Sequence, residues 1–144
     1  MNDPYKSGMF QGNPYYDKRT VESSLCVILD GRFEQRGLQL IPQMSRALKK
    51  NEVHELIVSD EAGIGPGSRV DKIAYIGFME IETGGVIIKG DEVLCEGAII
   101  GTIAGFDETH MPNHQNIVIS GERKSGAERA LRLESRISFR HVKP

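Results

Sequence analysis

Residues 73–81 have the sequence Ile-Ala-Tyr-Ile-Gly-Phe-Met-Glu-Ile, and this stretch decides the fold class. Apolar residues occupy both of its alternating faces, which is typical of a strand that is buried on both sides. Gly77 in the middle predicts a bulge or the close approach of another backbone. We therefore expect a central, fully buried β-strand at this position.

The sequence around this stretch continues the same pattern. Twelve of the sixteen glycines lie between Gly63 and Gly126, and short apolar runs alternate with them. The runs are Ser24–Asp30, Val53–Ser59, Val70–Ile81, Val86–Ile88, Glu92–Cys95, Ala98–Phe106, Asn116–Ser120 and Ser135–His141. Short strands separated by glycine turns indicate a β-sandwich or a small β-barrel.

One segment departs from the β pattern and predicts a helix. Pro42 suits a first helical turn, where its missing N–H costs nothing. Ile41, Met44 and Leu48 fall on one helical face, and Asn51 can cap the end. We expect one principal α-helix that ends at Asn51 and begins at Pro42 or as far upstream as about Arg36.

A second helical signal lies near the C-terminal end of the chain. Ser125 and Glu128 have the spacing of a capping box, in which each side chain bonds the other residue's backbone N–H. Leu131 and Leu133 then begin an alternation that is typical of a strand. We expect a short helical turn near residues 126–132, followed by a strand at 135–141.

Residues 1–20 show neither helical nor strand periodicity, which predicts an extended N-terminal arm before a single domain at 21–144. This arm holds four of the nine aromatic residues, namely Tyr5, Phe10, Tyr15 and Tyr16. Disordered tails are poor in aromatic residues. We therefore expect the arm to pack on its own domain or on a neighbouring subunit, and we predict a homo-oligomer formed through it.

The composition limits the classes of function. The 144 residues are 39% hydrophobic and 26% charged, with a net charge of −2, which excludes a disordered chain, a fibrous repeat and a basic nucleic-acid binder. Cys26 and Cys95 lie singly in apolar runs, as free thiols do in a reducing compartment. With no signal-peptide pattern and no apolar run long enough for a membrane helix, we expect a soluble, cytoplasmic protein without nucleic-acid or membrane partners.

The charges are unevenly distributed along the chain. Residues 80–108 carry one cation against seven anions, whereas residues 123–143 carry seven cations against two anions. Two interpretations remain open. The segments neutralise each other or face solvent within one monomer, or they form complementary patches between subunits.

The densest polar cluster follows the run Ala98–Phe106 and is the candidate site. Its candidate ligand-binding residues are Asp107, Glu108, His110, Asn113, His114 and Asn116. Carboxylates, imidazoles and amides together suit a polar ligand, a metal ion or acid–base chemistry. The alternative is a structural loop whose side chains satisfy backbone groups.

Residues outside this cluster are further candidate contributors to the site. A divalent metal at His110 and His114 would need a further ligand such as Glu80 or His54, so we do not favour metal and predict no cofactor. The loop at residues 63–68 precedes a strand pattern and lacks the Gly-Lys-Ser/Thr of a phosphate loop. Ser68, Arg69 and Glu80 are nevertheless candidate contacts for a ligand.

Three motifs carry a family resemblance: Gly90-Asp91-Glu92-Val93, Gly101-Thr102-Ile103-Ala104-Gly105 and Asn113–Ile119. In their layout, the chain resembles the glucitol/sorbitol-specific IIA component of the sugar phosphotransferase system over roughly residues 55–140. The resemblance implies a small, mostly antiparallel β-barrel. It does not imply a phosphocarrier, because the matching strand at Ala74–Glu80 lacks the histidine that this family phosphorylates.

The string Gly-Phe-Asp-Glu-Thr-His-Met-Pro-Asn-His at residues 105–114 also looks like that of bacterial proteins of unknown function. Together, pattern and resemblance predict a mainly β fold: a small antiparallel β-barrel with one principal α-helix and an N-terminal arm. We predict a non-catalytic module that binds a small polar molecule or a partner at the loop of residues 107–116. A metal-dependent or histidine/carboxylate acid–base enzyme using this loop and an oligomeric scaffold are the alternatives.

Overall fold

The computed structural model describes residues 14–143, which contain twelve β-strands and no helix. The strands are β1 (Val21–Ile28), β2 (Arg32–Phe33), β3 (Leu38–Gln39), β4 (Ser45–Leu48), β5 (Val53–Ser59), β6 (Arg69–Val70), β7 (Ile73–Thr83), β8 (Gly85–Ile88), β9 (Glu92–Cys95), β10 (Ala98–Asp107), β11 (Asn116–Gly121) and β12 (Arg136–Arg140). Most of them coincide with the predicted apolar runs. No helix in this part of the chain is able to cross a membrane.

Seven of the strands close into a barrel. Their order is β1-β12-β9-β10-β11-β5-β7, and β7 returns to pair with β1. Strand β2 adds to β7, while β3 with β6 and β4 with β8 form two separate ribbons. The predicted barrel is confirmed, but the prediction that its strands pair antiparallel is wrong for one pair. Strands β5 and β11 run parallel, whereas all the other paired strands are antiparallel.

Apolar side chains pack on both sides of the barrel wall. The inner core fills the barrel with mainly aliphatic side chains and with Phe106 and Phe139. The outer core lies between the wall and the β3–β6 ribbon, and its buried members are Leu38, Leu40, Ile57, Val70, Ile73, Ala104 and Val118. Because β7 contributes to both cores, its sequence is apolar on both faces.

The bulge predicted at Gly77 is confirmed, and the backbone that approaches it closely is that of β1 in the same chain. A Cβ atom at this position would lie 2.3 Å from the carbonyl oxygen of Val27 on β1. The register between β5 and β7 also shifts beside this glycine, between Leu56 and Ile57. Only glycine allows β1 and β7 to pack this closely where the barrel closes.

The predicted principal helix at Pro42–Asn51 is wrong. Part of this segment forms β4, which pairs antiparallel with β8 and buries Leu48. Asn51 takes the left-handed conformation expected of a cap, with φ of 77°, but it does so in the turn between β4 and β5. The helical pattern rested on three apolar residues, and pairing with β8 satisfies the same backbone groups while covering the barrel.

The helical turn predicted near residues 126–132 is a run of turn residues at 126–130, without an α-helix. The capping-box hydrogen bonds are nevertheless present. The Ser125 N–H donates to Glu128 Oε1 over 3.0 Å, and the Glu128 N–H donates to Ser125 Oγ over 3.1 Å. Ala130 has a positive φ of 56°, which ends the turn before a helix can propagate.

The described part of the N-terminal arm, residues 14–20, lies against the barrel. Lys18 Nζ donates to Asp91 Oδ2, and both side chains are largely or fully buried. His141 lies next to the same carboxylate and contacts the Tyr16 carbonyl. The remainder of the arm, residues 1–13 with Tyr5 and Phe10, lies outside the described residues.

Neighbouring strands bring part of the acidic and basic segments together within one chain. Strands β9 and β12 are paired, and Arg140 Nη2 lies 2.7 Å from Glu92 Oε1. Arg136 on β12 contacts Glu22 on β1 and Glu82 on β7. These contacts favour neutralisation within the monomer.

Candidate functional site

Four residues from four neighbouring strands form a row on the outside of the barrel, which we call the outer row. Strand register pairs Phe78 with Glu55, Glu55 with Asn116, and Asn116 with Asp107. The adjacent residue in each strand belongs to the inner core, so these four side chains face outward. The loop at residues 107–116 begins and ends in this row.

Asp107 holds the start of the loop in place. Its carboxylate accepts hydrogen bonds from the backbone N–H groups of Gln39 and Thr109, at 3.0 and 2.9 Å, and from Asn116 Nδ2 at 3.1 Å. Burial would raise the pKa of Asp107, but the hydrogen bonds from Thr109, Gln39 and Asn116 outweigh it and lower the pKa. Asp107 is therefore an anchoring carboxylate whose acceptor positions are in use.

A second polar group formed by the loop involves different partners. Glu108 accepts hydrogen bonds from Arg46 Nε at 3.0 Å and from Gln115 Nε2 at 2.6 Å. Burial raises the pKa of Glu108, but these two partners reverse the shift and lower it. His54 Nδ1 accepts from the Gln115 N–H over 2.9 Å. This imidazole nitrogen is therefore unprotonated, and we assign the group a structural role.

His114 and Glu55 form the least satisfied part of the loop. His114 Nε2 lies 3.4 Å from Glu55 Oε1, and neither this nitrogen nor buried Asn116 Oδ1 makes a hydrogen bond of standard geometry with the described residues. The Glu55 residue is only 7% exposed, and no hydrogen bond from residues 14–143 reaches its carboxyl group. Phe78 packs edge-on against the imidazole ring at 5.0 Å between centroids.

The environment moves the pKa values of this pair towards each other. Burial raises the pKa of Glu55, although His110 and Arg36 act against that rise. Burial and the neighbouring His110 lower the pKa of His114, while a hydrogen-bonding interaction with the Asn116 side chain acts in the opposite direction. Both groups therefore favour their uncharged forms, which is typical of functional sites but also occurs in structural networks.

The two histidines proposed as metal ligands are neighbours. The rings of His110 and His114 are 5.1 Å apart between centroids and tilted by 32°. No group of three or more His, Cys, Asp or Glu residues within 14–143 is arranged to hold a metal ion. His54, considered above as a further ligand, bonds instead to Glu52 and to the Gln115 backbone.

Ser68, Arg69 and Glu80, the candidate residues outside the loop, contact residues that do not belong to the outer row. Ser68 Oγ accepts a hydrogen bond from the Gly65 N–H, and exposed Arg69 bonds to Asp71. Both lie on or beside the β3–β6 ribbon, which reaches the loop through the Gln39 N–H. Glu80 is exposed on β7 and lies opposite Val53 in β5. Their involvement in binding stays a prediction.

The sequence reasoning missed Glu55, Phe78 and Arg36. Arg36 Nε donates to the Tyr75 hydroxyl over 2.9 Å and influences the Glu55 carboxyl electrostatically. One signal was present for Glu55, since a carboxylate directly before the apolar residues Leu56–Val58 of a strand is rarely buried without a reason. No local signal linked Phe78 or Arg36 to the loop, because only strand register brings them near it.

Comparison with known proteins adds a family but no activity. The model of a family of unknown function (DUF6917) matches residues 15–140. No curated protein and no solved structure matches the chain. The resemblance to the glucitol/sorbitol-specific IIA component therefore stays a prediction.

Proposed function

The chain belongs to the DUF6917 family, whose function is unknown, and we propose that it is a β-barrel module that binds a small polar ligand. The site would be the outer row together with His114. The observation that carries this proposal is the Glu55 carboxyl group, 3.4 Å from His114 Nε2, beside two buried polar atoms, His114 Nε2 and Asn116 Oδ1, that make no hydrogen bond of standard geometry with the described residues. Buried polar groups are almost always satisfied, so this cluster suits a polar molecule as its partner.

The support for binding comes from how the rest of the site is held. Asn113 Oδ1 lies 2.7 Å from His114 Nδ1 and orients the imidazole ring, while Asp107 orients the Asn116 amide. These contacts fix two of the unsatisfied groups before any ligand arrives. A pre-oriented site loses less side-chain entropy on binding, which favours affinity.

Native mass spectrometry of the purified full-length protein tests the proposal. We expect a retained small molecule, or a stabilising hit when small polar compounds are screened by thermal shift. His114→Ala and Asn113→Ala should weaken binding while the circular dichroism spectrum stays unchanged. Glu82→Gln, at an exposed position on β7, is the control and should bind normally. Equal binding by all variants would contradict the proposed site, and loss of folding in His114→Ala would favour a structural loop.

A second candidate function is supported by the Glu55–His114 pair. A carboxyl group that is easily protonated, 3.4 Å from an imidazole that is easily deprotonated, is the arrangement used for proton transfer. This extends the acid–base alternative to Glu55, which the sequence reasoning did not select. Conversion of the retained molecule, lost in both Glu55→Gln and His114→Ala, would favour an enzyme over a binding module.

The remaining alternatives can be tested by the same measurement. Native masses report the oligomeric state, and therefore the predicted homo-oligomer and the scaffold function. They also report bound metal. Stoichiometric metal that disappears in a His110→Ala/His114→Ala double variant would favour a metal-dependent enzyme.

A further inference from the structure

Lys18 and Asp91 form a buried contact between the N-terminal arm and the barrel, outside the outer row. Lys18 Nζ lies 2.5 Å from Asp91 Oδ2, and the two side chains are 10% and 0% exposed. Burial removes the hydration of both ions, and their attraction offsets this cost only if the remaining polar atoms are also hydrogen-bonded. The second carboxylate oxygen, Asp91 Oδ1, makes no hydrogen bond with the described residues.

His141 brings a second unsatisfied atom to the same carboxylate. Its buried Nδ1 atom lies 3.9 Å from Asp91 Oδ1 and has no hydrogen-bond partner within residues 14–143. Its Nε2 atom lies 3.4 Å from the Tyr16 carbonyl oxygen, a pure acceptor, so Nε2 carries a proton. In the neutral imidazole, Nδ1 is then an acceptor, and it faces another acceptor.

Backbone hydrogen bonds hold the Asp91 carboxyl group in place. The Ile88 N–H donates to Asp91 Oδ2 over 3.0 Å, and the backbone of Asp91 bonds to Ile88 and Ile103, which are both buried. The carboxyl group is therefore presented to Lys18 in a fixed orientation. An attack on its carbon would place negative charge on Oδ2, where the Ile88 N–H already donates.

We propose that Lys18 and Asp91 become joined by an isopeptide bond, and this inference is independent of the proposed ligand site. The neutral Lys18 amine attacks Asp91 Cγ, so that the Nζ–Cγ bond forms and the Cγ–Oδ1 bond breaks. An ammonium and a carboxylate thereby become one amide and one water, without an oxidant or a co-reactant. Of the three ammonium protons, one stays on the amide and two leave with Oδ1.

His141 is the group that moves these protons. Its free Nδ1 atom accepts a proton given up by the Lys18 amine and returns it to the departing Oδ1 oxygen. A desolvated lysine beside a group that can accept its proton is the usual form of a nucleophilic lysine. The low exposure of all three side chains excludes the water that would favour hydrolysis of the amide.

The amide product satisfies the polar atoms that an ion pair leaves unsatisfied. Asp91 Oδ2 becomes the amide oxygen and keeps its hydrogen bond from the Ile88 N–H. The unpaired Oδ1 atom is lost, and the amide N–H takes its place opposite His141 Nδ1, to which it can donate. Because buried polar groups are almost always paired, this outcome favours the covalent bond over the ion pair.

Lys143 and Asp17 provide a matched pair that should not react. Lys143 Nζ lies 3.7 Å from Asp17 Oδ2, but the two side chains are 62% and 64% exposed. Water stabilises both ions, so the amine stays protonated and is a poor nucleophile. The same two residue types therefore differ in reactivity through burial.

Mass spectrometry of the denatured full-length protein tests the bond. We expect the wild type to be lighter than its sequence mass by about 18 Da, the mass of one water. Tryptic digestion should yield a branched peptide that joins the segments of Lys18 and Asp91. Lys18→Arg keeps the positive charge but removes the nucleophilic amine, so it should have its full sequence mass. Lys143→Arg is the control and should still lack one water.

A variant of His141 separates proton transfer from folding. His141→Asn removes the imidazole, so we expect linked and unlinked masses together after purification, with the linked fraction rising during incubation. Circular dichroism of the same sample should match the wild type. Complete linkage in freshly purified His141→Asn would remove His141 from the reaction.

Three results would overturn the isopeptide bond. A wild-type mass equal to the sequence mass would leave Lys18 and Asp91 as a buried ion pair. Loss of one water in a linear peptide that contains Asp91 would indicate cyclisation of this residue on its own backbone. A branched peptide that joins Lys143 to Asp17 would contradict the requirement for burial. None of these results affects the proposed ligand site.

Discussion

Asp107 and Glu55 are two buried carboxyl groups in the same row of the barrel wall, and their surroundings are opposite. Asp107 accepts hydrogen bonds from two backbone N–H groups and one amide, and its pKa is lowered. Glu55 receives none from the described residues, and burial raises its pKa. Asn116 lies between them in the strand register.

The different surroundings of Asp107 and Glu55 show that neighbouring carboxyl groups in one row can serve stability and ligand binding separately. At the start of the loop, both oxygens of the Asp107 carboxylate accept hydrogen bonds that hold the fold. On the neighbouring strand β5, the buried Glu55 carboxyl group accepts no hydrogen bond from the described residues, although burying a polar group in this way costs free energy. Regions that carry such a cost usually have a function that requires it.

The largest expected effect is on stability. Asp107→Ala would leave the Gln39 and Thr109 N–H groups and the Asn116 amide without their acceptor, so we expect a loss of about 3 kcal/mol in the free energy of unfolding. Glu55→Gln should change it by less than about 1 kcal/mol, because no hydrogen bond is lost. Urea denaturation of both variants measures the difference. Equal losses of unfolding free energy in the two variants would contradict the different roles assigned to Asp107 and Glu55.

The same two residues should respond oppositely to pH. The folded-state pKa of Asp107 is lowered, so its stabilisation is complete above the ordinary value of about 3.9 and is lost as the pH falls through the folded value. The folded-state pKa of Glu55 is raised, so its contribution is complete below about 4.3 and is lost as the pH rises through the folded value.

Unfolding measured between about pH 4 and pH 8 should therefore show Glu55→Gln gaining stability relative to the wild type as the pH rises. His114 adds an opposite effect, because its lowered pKa makes the folded state less stable as the pH falls below the ordinary histidine value. A pH-independent difference between Glu55→Gln and the wild type would show that Glu55 is not perturbed by burial.

The smallest change in stability is expected for Asn113→Ala, which alters the orientation of the His114 ring. Asn113 is exposed, and its Oδ1 atom orients the imidazole through Nδ1. Asn113→Ala should therefore cost no more than about 0.5 kcal/mol of stability, as for other surface changes. The nitrogen chemical shifts of His114 should nevertheless show a mixture of tautomers in place of one. An unchanged single tautomer would mean that another group holds the ring.

The β-strands were predictable because their signals are local. Alternation and glycine spacing located most of them, including β9 with its observed bounds of Glu92–Cys95. The segment from Pro42 to Asn51 was mispredicted because its helical pattern rested on three apolar residues, of which only Leu48 lies in strand β4. Its pairing with β8, almost forty residues later in the chain, decided in favour of a strand.

The candidate site was predictable only in part, because some of its residues are brought together by the pairing of distant strands. Asp107, His114 and Asn116 are close in sequence, and their residue types marked the loop. Glu55 and Phe78 belong to strands β5 and β7, and they join the loop only because the register aligns Phe78, Glu55 and Asn116 side by side.

The amino-acid sequence alone specifies that this protein is mainly β, that its strands are short and joined by glycine turns, and that its polar residues concentrate at 107–116. These properties depend on side-chain alternation and backbone freedom, which act over a few residues. Tertiary contacts were needed to close the barrel, to make β5 and β11 run parallel, and to bury Glu55 beside His114. These depend on which distant strands share hydrogen bonds, and on the burial that raises the pKa of one carboxyl group while another in the same row is stabilised.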